Sequence, residues 1–419
     1  MKIISITGTK GKTTVTRALA YVLHEQKEPT LRVDTDGHYV NEKQKSTLSE
    51  SKKLFGLVPT VCPGKYLLAM KKYHPVFTAI LETAIGSSRR GGLGYRRHAV
   101  GIFTNVFEDH LGVTKRLRTR KDIAKAKNFV FSAIGEGGYA IFNADDKLVC
   151  SQLHYIPEKR NVTLLPVGLT LCHFNVQSHL EKGGAIITVE NRFIVLKTKN
   201  KSSSLINIAD IPWTFNGYFL PSVYNLMFIL AGLYAAKNGR LSKKILTTLK
   251  DYRLDNTGGR LTLLKNKRGV KILIDFAHEK YSLKEVADLA KKLSQRKAIG
   301  ILRLAPDRTD KMLLETGRFI ANSFDHIFVY DKIDGIIKNK YVSTGLTPSR
   351  KKGEVSSIFL RGILSKKTDS RAKQIIIEEK AIAEAAKLAE PGDVVVIICG
   401  DNHIRTLSYV KKYFQASFA

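Results

Sequence analysis

Apolar positions along the chain follow two alternating periods. Lys2–Thr7 (KIISIT) is a short apolar run of strand type, and from Val15 to about Glu25 the apolar residues recur at helical spacing. Further strand-like runs lie at Thr78–Leu81, Ala99–Thr104, Tyr139–Phe142 and Val162–Val167, with helical patterns between several of them, as at Asp122–Ile134. Strands alternating with helices predict a parallel sheet of the α/β class. Gly183–Lys197 breaks the rhythm: GGAIITVENRFIVLK alternates apolar and polar residues, the pattern of antiparallel strands joined by a tight turn at Glu190–Asn191. A helix is predicted from about Ser222 to Lys237.

The polar stretch Asp255–Gly259 is the candidate domain boundary, dividing the chain into 1–257 and 258–419. Beyond it the alternation restarts. Strands are predicted at Lys271–Asp275, Ala298–Leu304, His326–Tyr330, Gln374–Ile377 and Asp393–Cys399. Helices are predicted around Leu283–Ser294, Lys311–Asn322, Val355–Ser365 and Glu379–Ala389. Five strands with helices between them suffice for a separate doubly wound domain. Lys199–Ser204 and Ser349–Gly353 have the composition of loops.

A length of 419 residues fits two or three domains. With 43% hydrophobic and 25% charged residues, the chain is neither disordered nor collagenous. Lys and Arg number 69 against 37 Asp and Glu, a formal net charge of +32. Such a field concentrates anions, whether nucleotides, nucleic acid, acidic peptides or anionic lipid; solvated lysine-rich faces are the bland alternative. Cys62, Cys150, Cys172 and Cys399 show neither CxxC nor metal-site spacing, which fits a reducing compartment. No secretory signal pattern opens the chain. The longest apolar run, Leu226–Ala236, is far short of the ~20 residues that span a membrane. The expectation is a cytoplasmic protein with no membrane association.

The strongest local signal is Gly8-Thr9-Lys10-Gly11-Lys12-Thr13-Thr14, which follows a strand and opens a helix. That is the context of a phosphate-binding loop. Glycines let backbone amides turn toward phosphate, and the helix N-terminus adds positive potential. Lys12 would contact the β- and γ-phosphates and Thr13 would ligate Mg²⁺. The spacing is shorter than GxxxxGK[ST] counted from Gly8, and a Gly/Lys-rich turn without nucleotide is the alternative. Glu82 directly follows the apolar run TAIL, and His110 lies just beyond AVGIF, in TNVFEDHLG. Polar residues at the C-terminal ends of parallel strands face the ligand crevice of such sheets. Either residue alone could be an ordinary surface or capping group.

GTKGKTT, Glu82-Thr83-Ala84 and TN-x₃-DHLG, in this order, resemble the Mur ligase superfamily of ATP-dependent amide ligases. The local motifs are most similar to the Mur ligase-like half of cyanophycin synthetases. Asp34-Thr-Asp-Gly-His-Tyr-Val-Asn looks like their TTDG segment, Glu82–Tyr95 like their ETARGG…RRGLGY segment, and Phe142-Asn143-Ala-Asp145-Asp146 like the NADD turn. The resemblance implies a central ATPase domain with a parallel sheet and a C-terminal Rossmann-like α/β domain, without the N-terminal UDP-binding domain or an ATP-grasp half. It implies an enzyme, an acid–amino-acid ligase that joins a carboxylate to an amine through an acyl phosphate and releases ADP and phosphate.

Residue by residue, the resemblance implies Thr13, Glu82 and His110 as Mg²⁺ ligands and Gly8–Thr14 as the ATP loop. It implies Asn225, in Val-Tyr-Asn-Leu, as the adenine contact, and Arg260, in Gly-Arg-Leu, as a cation reaching the γ-phosphate. Asp275, in Asp-Phe-Ala-His, would meet the ribose or the hinge. Lys127 falls near the lysine that several members carbamylate; Lys125 is the alternative by register, and an unmodified phosphate-facing lysine the alternative by chemistry. Asp307-Arg308-Thr-Asp310 matches a DRxD segment, and Gly400–His403 stands where the family has GKGHE. Departures lie mostly around the acceptor side or in the second domain: Ile85, Ser222, Glu279-Lys280 and Asp401–Ile404 replace the usual residues. They imply retained ATP chemistry with an altered substrate pocket, or a weakened, regulatory enzyme. The implied partners are a small-molecule or acidic-peptide carboxylate donor and an amino-acid acceptor. The basic clusters Arg89–Arg97 and Lys115–Lys127 are placed to border that pocket, and oligomerisation stays open. Two other classes stay open as well: a partner-dependent or non-catalytic ATP-binding subunit, and a nucleic-acid-stimulated P-loop ATPase. The spread of basic residues and the lack of a nucleic-acid motif weigh against the last.

Overall fold

The computed structural model describes all residues except 51–57, 68–76, 86–91, 109–115, 255–258, 333–335, 338–339, 342–349, 367–370, 401 and 419. Most of the expected Asp255–Gly259 boundary therefore lies outside the described residues. The chain divides into two compact units, Met1–Asp109 with Leu117–Tyr252 in one and Arg253–Ala419 in the other.

The first unit is built on one eleven-stranded sheet. Its strands are β1 (Lys2–Thr7), β2 (Thr30–Asp34), β3 (Gly37–Val40), β4 (Lys43–Thr47), β5 (Thr78–Glu82), β6 (His98–Phe103), β7 (Ile134–Asn143), β8 (Thr163–Val167), β9 (Ala185–Glu190), β10 (Phe193–Thr198) and β11 (Lys201–Asn207). The order is β11-β10-β9-β8-β7-β6-β1-β5-β2-β3-β4. Strands β2, β5, β1, β6, β7 and β8 are mutually parallel. Both ends of the sheet turn antiparallel. Strand β5 (TAILE) is buried along its whole length and β1 and β6 at all but one position, so they read as apolar runs rather than as alternation. Helix α1 (Lys12–Glu25) and the helix Leu220–Ala236 pack together over this sheet. The second is apolar all round, as a helix enclosed by sheet and neighbours must be.

In the second unit the strand expected at Gln374–Ile377 lies at Ala372–Gln374, and Arg350–Lys351 of the expected Ser349–Gly353 loop is strand; in the first unit three local expectations need correction. Lys199–Ser204, expected as a loop, is mostly strand β11, an edge strand whose KSSS segment is polar because one side of it faces water. The Glu190–Asn191 turn sits one residue further on, at Asn191 and Arg192, both with positive φ. The single helix Asp122–Ile134 is two: Arg120–Ala126, started by a Thr119–Asp122 capping box, and Phe129–Ser132. Lys127 sits at the break, with φ −102° and ψ 0°.

The second unit carries a seven-stranded sheet in the order β19-β15-β14-β20-β13-β12-β21. Its elements are β12 (Thr262–Lys265), β13 (Lys271–Asp275), β14 (Ala298–Leu302), β15 (His326–Val329), β19 (Ala372–Gln374), β20 (Val394–Ile398) and β21 (Ser417–Phe418). A separate small antiparallel sheet holds β16 (Ile336–Ile337), β17 (Lys340–Tyr341) and β18 (Arg350–Lys351). Strands β13, β20, β14, β15 and β19 are parallel, with β12 and β21 antiparallel at one edge. The core joins Ile272, Ile274, Ile299, Ile301, Val395 and Ile397 to Ala381, Ile382 and Val410 of the covering helices. Among the described residues no helix is long and apolar enough to cross a membrane.

Candidate active site

Between β1 and α1 the backbone takes the left-handed region twice, at Gly8 (φ 142°) and Gly11 (φ 82°). Space also demands glycine there. A Cβ on Gly8 would lie 2.0 Å from Thr104 Oγ1, and one on Gly11 would lie 2.2 Å from Asn225 Oδ1. Gly11 is the N-cap of α1 and offers no side-chain cap, and the first turn holds no acidic residue. The N–H groups that open a helix have no intrahelical acceptor, so this end carries a partial positive charge. Lys12 Nζ folds back onto Thr9 O at 3.0 Å.

The segment after β6 props the loop. Thr104 Oγ1 donates to Lys10 O (2.7 Å), Asn105 O accepts from Thr9 N (2.9 Å), and Asn105 Oδ1 accepts from Lys10 N (2.8 Å). Lys127 comes from beneath: it is 4% exposed, and its Nζ donates to Gly8 O at 2.8 Å. Lys125 is exposed, so of the two register alternatives it is Lys127 that meets the loop.

Glu82 ends β5 beside β1, 3% exposed. Its Oε2 accepts from Thr13 Oγ1 at 2.9 Å and its Oε1 from Thr35 Oγ1 at 3.1 Å. A carboxylate between two hydroxyls beside a helix N-terminus is an oxygen-rich set of the kind Mg²⁺ takes. Thr14 follows in the first turn of α1, half-buried. His110, the third expected metal ligand, lies outside the described residues, as do 86–91 of the segment after Glu82, and with them Arg89 and Arg90 of one basic cluster and Lys115 of the other. Behind the loop, buried Asp34 accepts from both Arg17 of α1 and Arg32 of β2, tying the helix to the sheet.

The residues expected from the second half gather at the C-terminal ends of β13 and β20. Arg260 is exposed. Its neighbour Leu261 (φ 48°) donates its N–H to Asp275 Oδ2 at 2.9 Å, and Ala277 N donates to Oδ1 at 2.8 Å. Asp275 therefore shapes the corner that carries Arg260. Gly259 lies against His403, whose ring a Cβ would approach to 2.8 Å, and Cys399 N donates to Asp275 O at 2.8 Å. Burial pushes the Cys399 thiol up to about 12, despite Arg303 nearby. Arg308 of the DRxD segment is buried, and its carbonyl accepts from Arg350 at 2.9 Å.

Sequence reasoning missed several groups. Thr35 and Asp145 lie inside quoted motifs, yet only the fold shows what their side chains hold. Arg303 directly follows β14; it is 1% exposed, donates to Cys399 O and lies over the Phe276 ring at 4.7 Å.

A strand, glycine loop and helix in the middle of a parallel sheet, followed by a second α/β unit, define a two-unit P-loop protein. Residues 6–195 match the Mur ligase middle domain and residues 259–400 match the Mur ligase glutamate ligase domain, most of the chain between them. The chain belongs to the Mur ligase family. It is similar to a cyanophycin synthetase of Trichormus variabilis, 28% identical over 415 residues, which is 98% of this chain and 42% of that protein. The chain thus spans less than half the length of the cyanophycin synthetases it matches. It is 22% identical over 434 residues to a UDP-N-acetylmuramoyl-L-alanyl-D-glutamate–2,6-diaminopimelate ligase of Lactiplantibacillus plantarum, covering 100% of this chain and 76% of that one. Among solved structures, E. coli FolC in complex with DHPP and ADP shares the fold: TM-score 0.66, 13% identity, 98% of this chain and 88% of that one.

Proposed function

We propose that this chain forms an amide bond at the expense of ATP. A substrate carboxylate oxygen attacks the γ-phosphorus, ADP leaves, and an acyl phosphate results. An amine, the amino group of an amino acid, then attacks the acyl carbon, and phosphate leaves. The observation that carries this reading is the convergence on one glycine loop of Lys12, the Thr13–Glu82 pair, buried Lys127 and Asn225. Sequence likeness to ligases along nearly the whole chain supports it.

In this reading Gly8–Thr14 cradle the phosphates of ATP, and Lys12 offsets charge on the transferring oxygens. Asn225 faces the base. Thr13, Glu82 and His110 would hold Mg²⁺, which supplies charge neutralisation when bound. Glu82, held between the hydroxyls of Thr13 and Thr35, is assigned as a ligand and not as a general base. Arg260 is assigned the role of a phosphate-binding cation, and Asp275 holds its corner in place. Lys127 keeps its Gly8 contact through an N–H, which a carbamate retains while adding a negative charge beside the loop. Incubation with ¹³C-bicarbonate and NMR tests that modification: a carbamate resonance absent from Lys127→Ala is expected, and no resonance leaves Lys127 a plain cation.

The donor is proposed to be anionic, an acidic peptide or small acid, in keeping with the +32 charge. Phosphate release from Mg·ATP is expected to need both a carboxylate donor and an amino acid. Release with neither, or stimulated by nucleic acid instead, would contradict the reading.

A further inference from the structure

Two aspartates of the turn after β7 reach the loop by separate routes. Asp145 is a hub. Its carboxylate accepts from Leu169 N (2.6 Å), Thr170 N (3.1 Å), Thr170 Oγ1 (2.6 Å) and Leu171 N, and from the Tyr224 hydroxyl at 2.7 Å. Gly168 must be glycine for this: a Cβ there would stand 2.8 Å from the carboxylate. Burial works against the ionised form, yet the hydrogen bonds from Thr170, Tyr224 and the backbone hold the Asp145 carboxyl below its ordinary range. Tyr224 lies in the first turns of the 220–236 helix, directly before Asn225. The Asn225 side chain makes no hydrogen bond among the described residues, and its Oδ1 stands where a side chain on Gly11 would be.

Asp146 takes the other route. Its Oδ2 accepts from Val106 N at 2.8 Å, while Oδ1 caps the next helix through Leu148 N and Val149 N. Val106 adjoins Asn105, which holds Thr9 and Lys10, and Arg120 Nε binds Val106 O at 3.1 Å.

We infer that the Asn143–Asp146 turn is a two-armed clasp: Asp145 acts through Tyr224 to aim Asn225 at the nucleotide's base, and Asp146 acts through Val106 and Asn105 to shape the phosphate loop. Tyr224, Asp145 and Asp146 are positioning residues in this scheme. A charge-assisted hydrogen bond fixes direction as well as distance. With it gone, the Tyr224 ring is free to slide along its packing surface and the unspent Asn225 amide loses its aim. The inference rests on the nucleotide reading of the loop, and the test separates the two.

The test is calorimetric binding of ADP and of inorganic tripolyphosphate, which has phosphates and no base. Tyr224→Phe keeps the ring and removes only the hydroxyl. It is expected to weaken ADP about tenfold, the size of one hydrogen bond to a charged group, and to leave tripolyphosphate within about twofold. On an Asn225→Ala background the same change is expected to have no further effect on ADP, which a purely structural role for Tyr224 would not produce. Asp146→Asn is expected to weaken both ligands alike. Unchanged ADP affinity in Tyr224→Phe, or additive losses with Asn225→Ala, would overturn the clasp while sparing the loop assignment. Wild-type protein that bound neither ligand would overturn both.

Discussion

Single residues at the loop carry charge that a ligand must meet. Among the described residues Lys12 has only the Thr9 carbonyl to hold it, so its ammonium is poised rather than spent. Lys12→Ala is expected to cut ATP turnover by about a hundredfold or more, read as phosphate release, because one preorganised donor to a transferring phosphoryl group is worth about that much. His98 behaves differently. It is 2% exposed at the start of β6, with Nε2 2.8 Å from Val130 O and Nδ1 without a hydrogen-bond partner. Burial pulls its pKa down to about 4. Between that value and the ordinary 6.5 the unfolded chain binds a proton that the folded chain refuses, so stability falls as pH drops through this window and is fully present above it. Urea denaturation is expected to show a loss of about 2 kcal/mol by about pH 5 from this group alone, at 1.36 kcal/mol per unit. His98→Gln should flatten that slope. A slope unchanged by the substitution would place the effect elsewhere.

At the scale of elements, the loop and the helix beside it are fitted to each other. Gly11→Ala would force a left-handed φ on an alanine and drive its Cβ into Asn225. ADP binding should fall by at least tenfold while the circular dichroism spectrum is retained; unaltered binding would show that the Gly11–Asn225 contact is not a wall of the site. The β1–loop–α1 unit was legible because its signals are local: an apolar run, two glycines, then helical spacing. Strands β5, β6, β7 and β8 were legible for the same reason, while β2 (TLRVD), with Arg32 and Asp34 in its five residues, was not. Strand β4 (KQKST) and most of β11 were not, because edge strands are kept polar against pairing with other chains and so lack an apolar signal. The break at Lys127 was also hidden. Ala126 and Asn128 carry no breaker, and only the fold shows that Lys127 must leave the helix to reach Gly8. In the site, residue types were legible where a motif fixes them: Lys12, Thr13, Glu82 and Asn225. The second hydroxyl on Glu82 and the Tyr224–Asp145 bond were not, because their partners lie 47 and 79 positions apart in the chain.

Across the whole molecule two α/β units share one charge excess, 69 basic against 37 acidic residues. A field of that sign draws anions toward the protein and is screened by salt over about 10 Å at 0.1 M. The apparent KM for an anionic donor should therefore rise as ionic strength increases, with kcat little changed; an unaltered KM would mean that the excess charge lies away from the donor's path. The family membership and the loop geometry meet in one central claim, that ATP cleavage here is coupled to joining an acid to an amine. Its most direct test is phosphate release from Mg·ATP across a matrix of acidic donors, aspartate- and glutamate-containing peptides among them, and amino-acid acceptors, with products weighed by mass spectrometry. Release is expected only when both partners are present, with a product whose mass is their sum less one water. Release indifferent to the amine, with no such product, would contradict it.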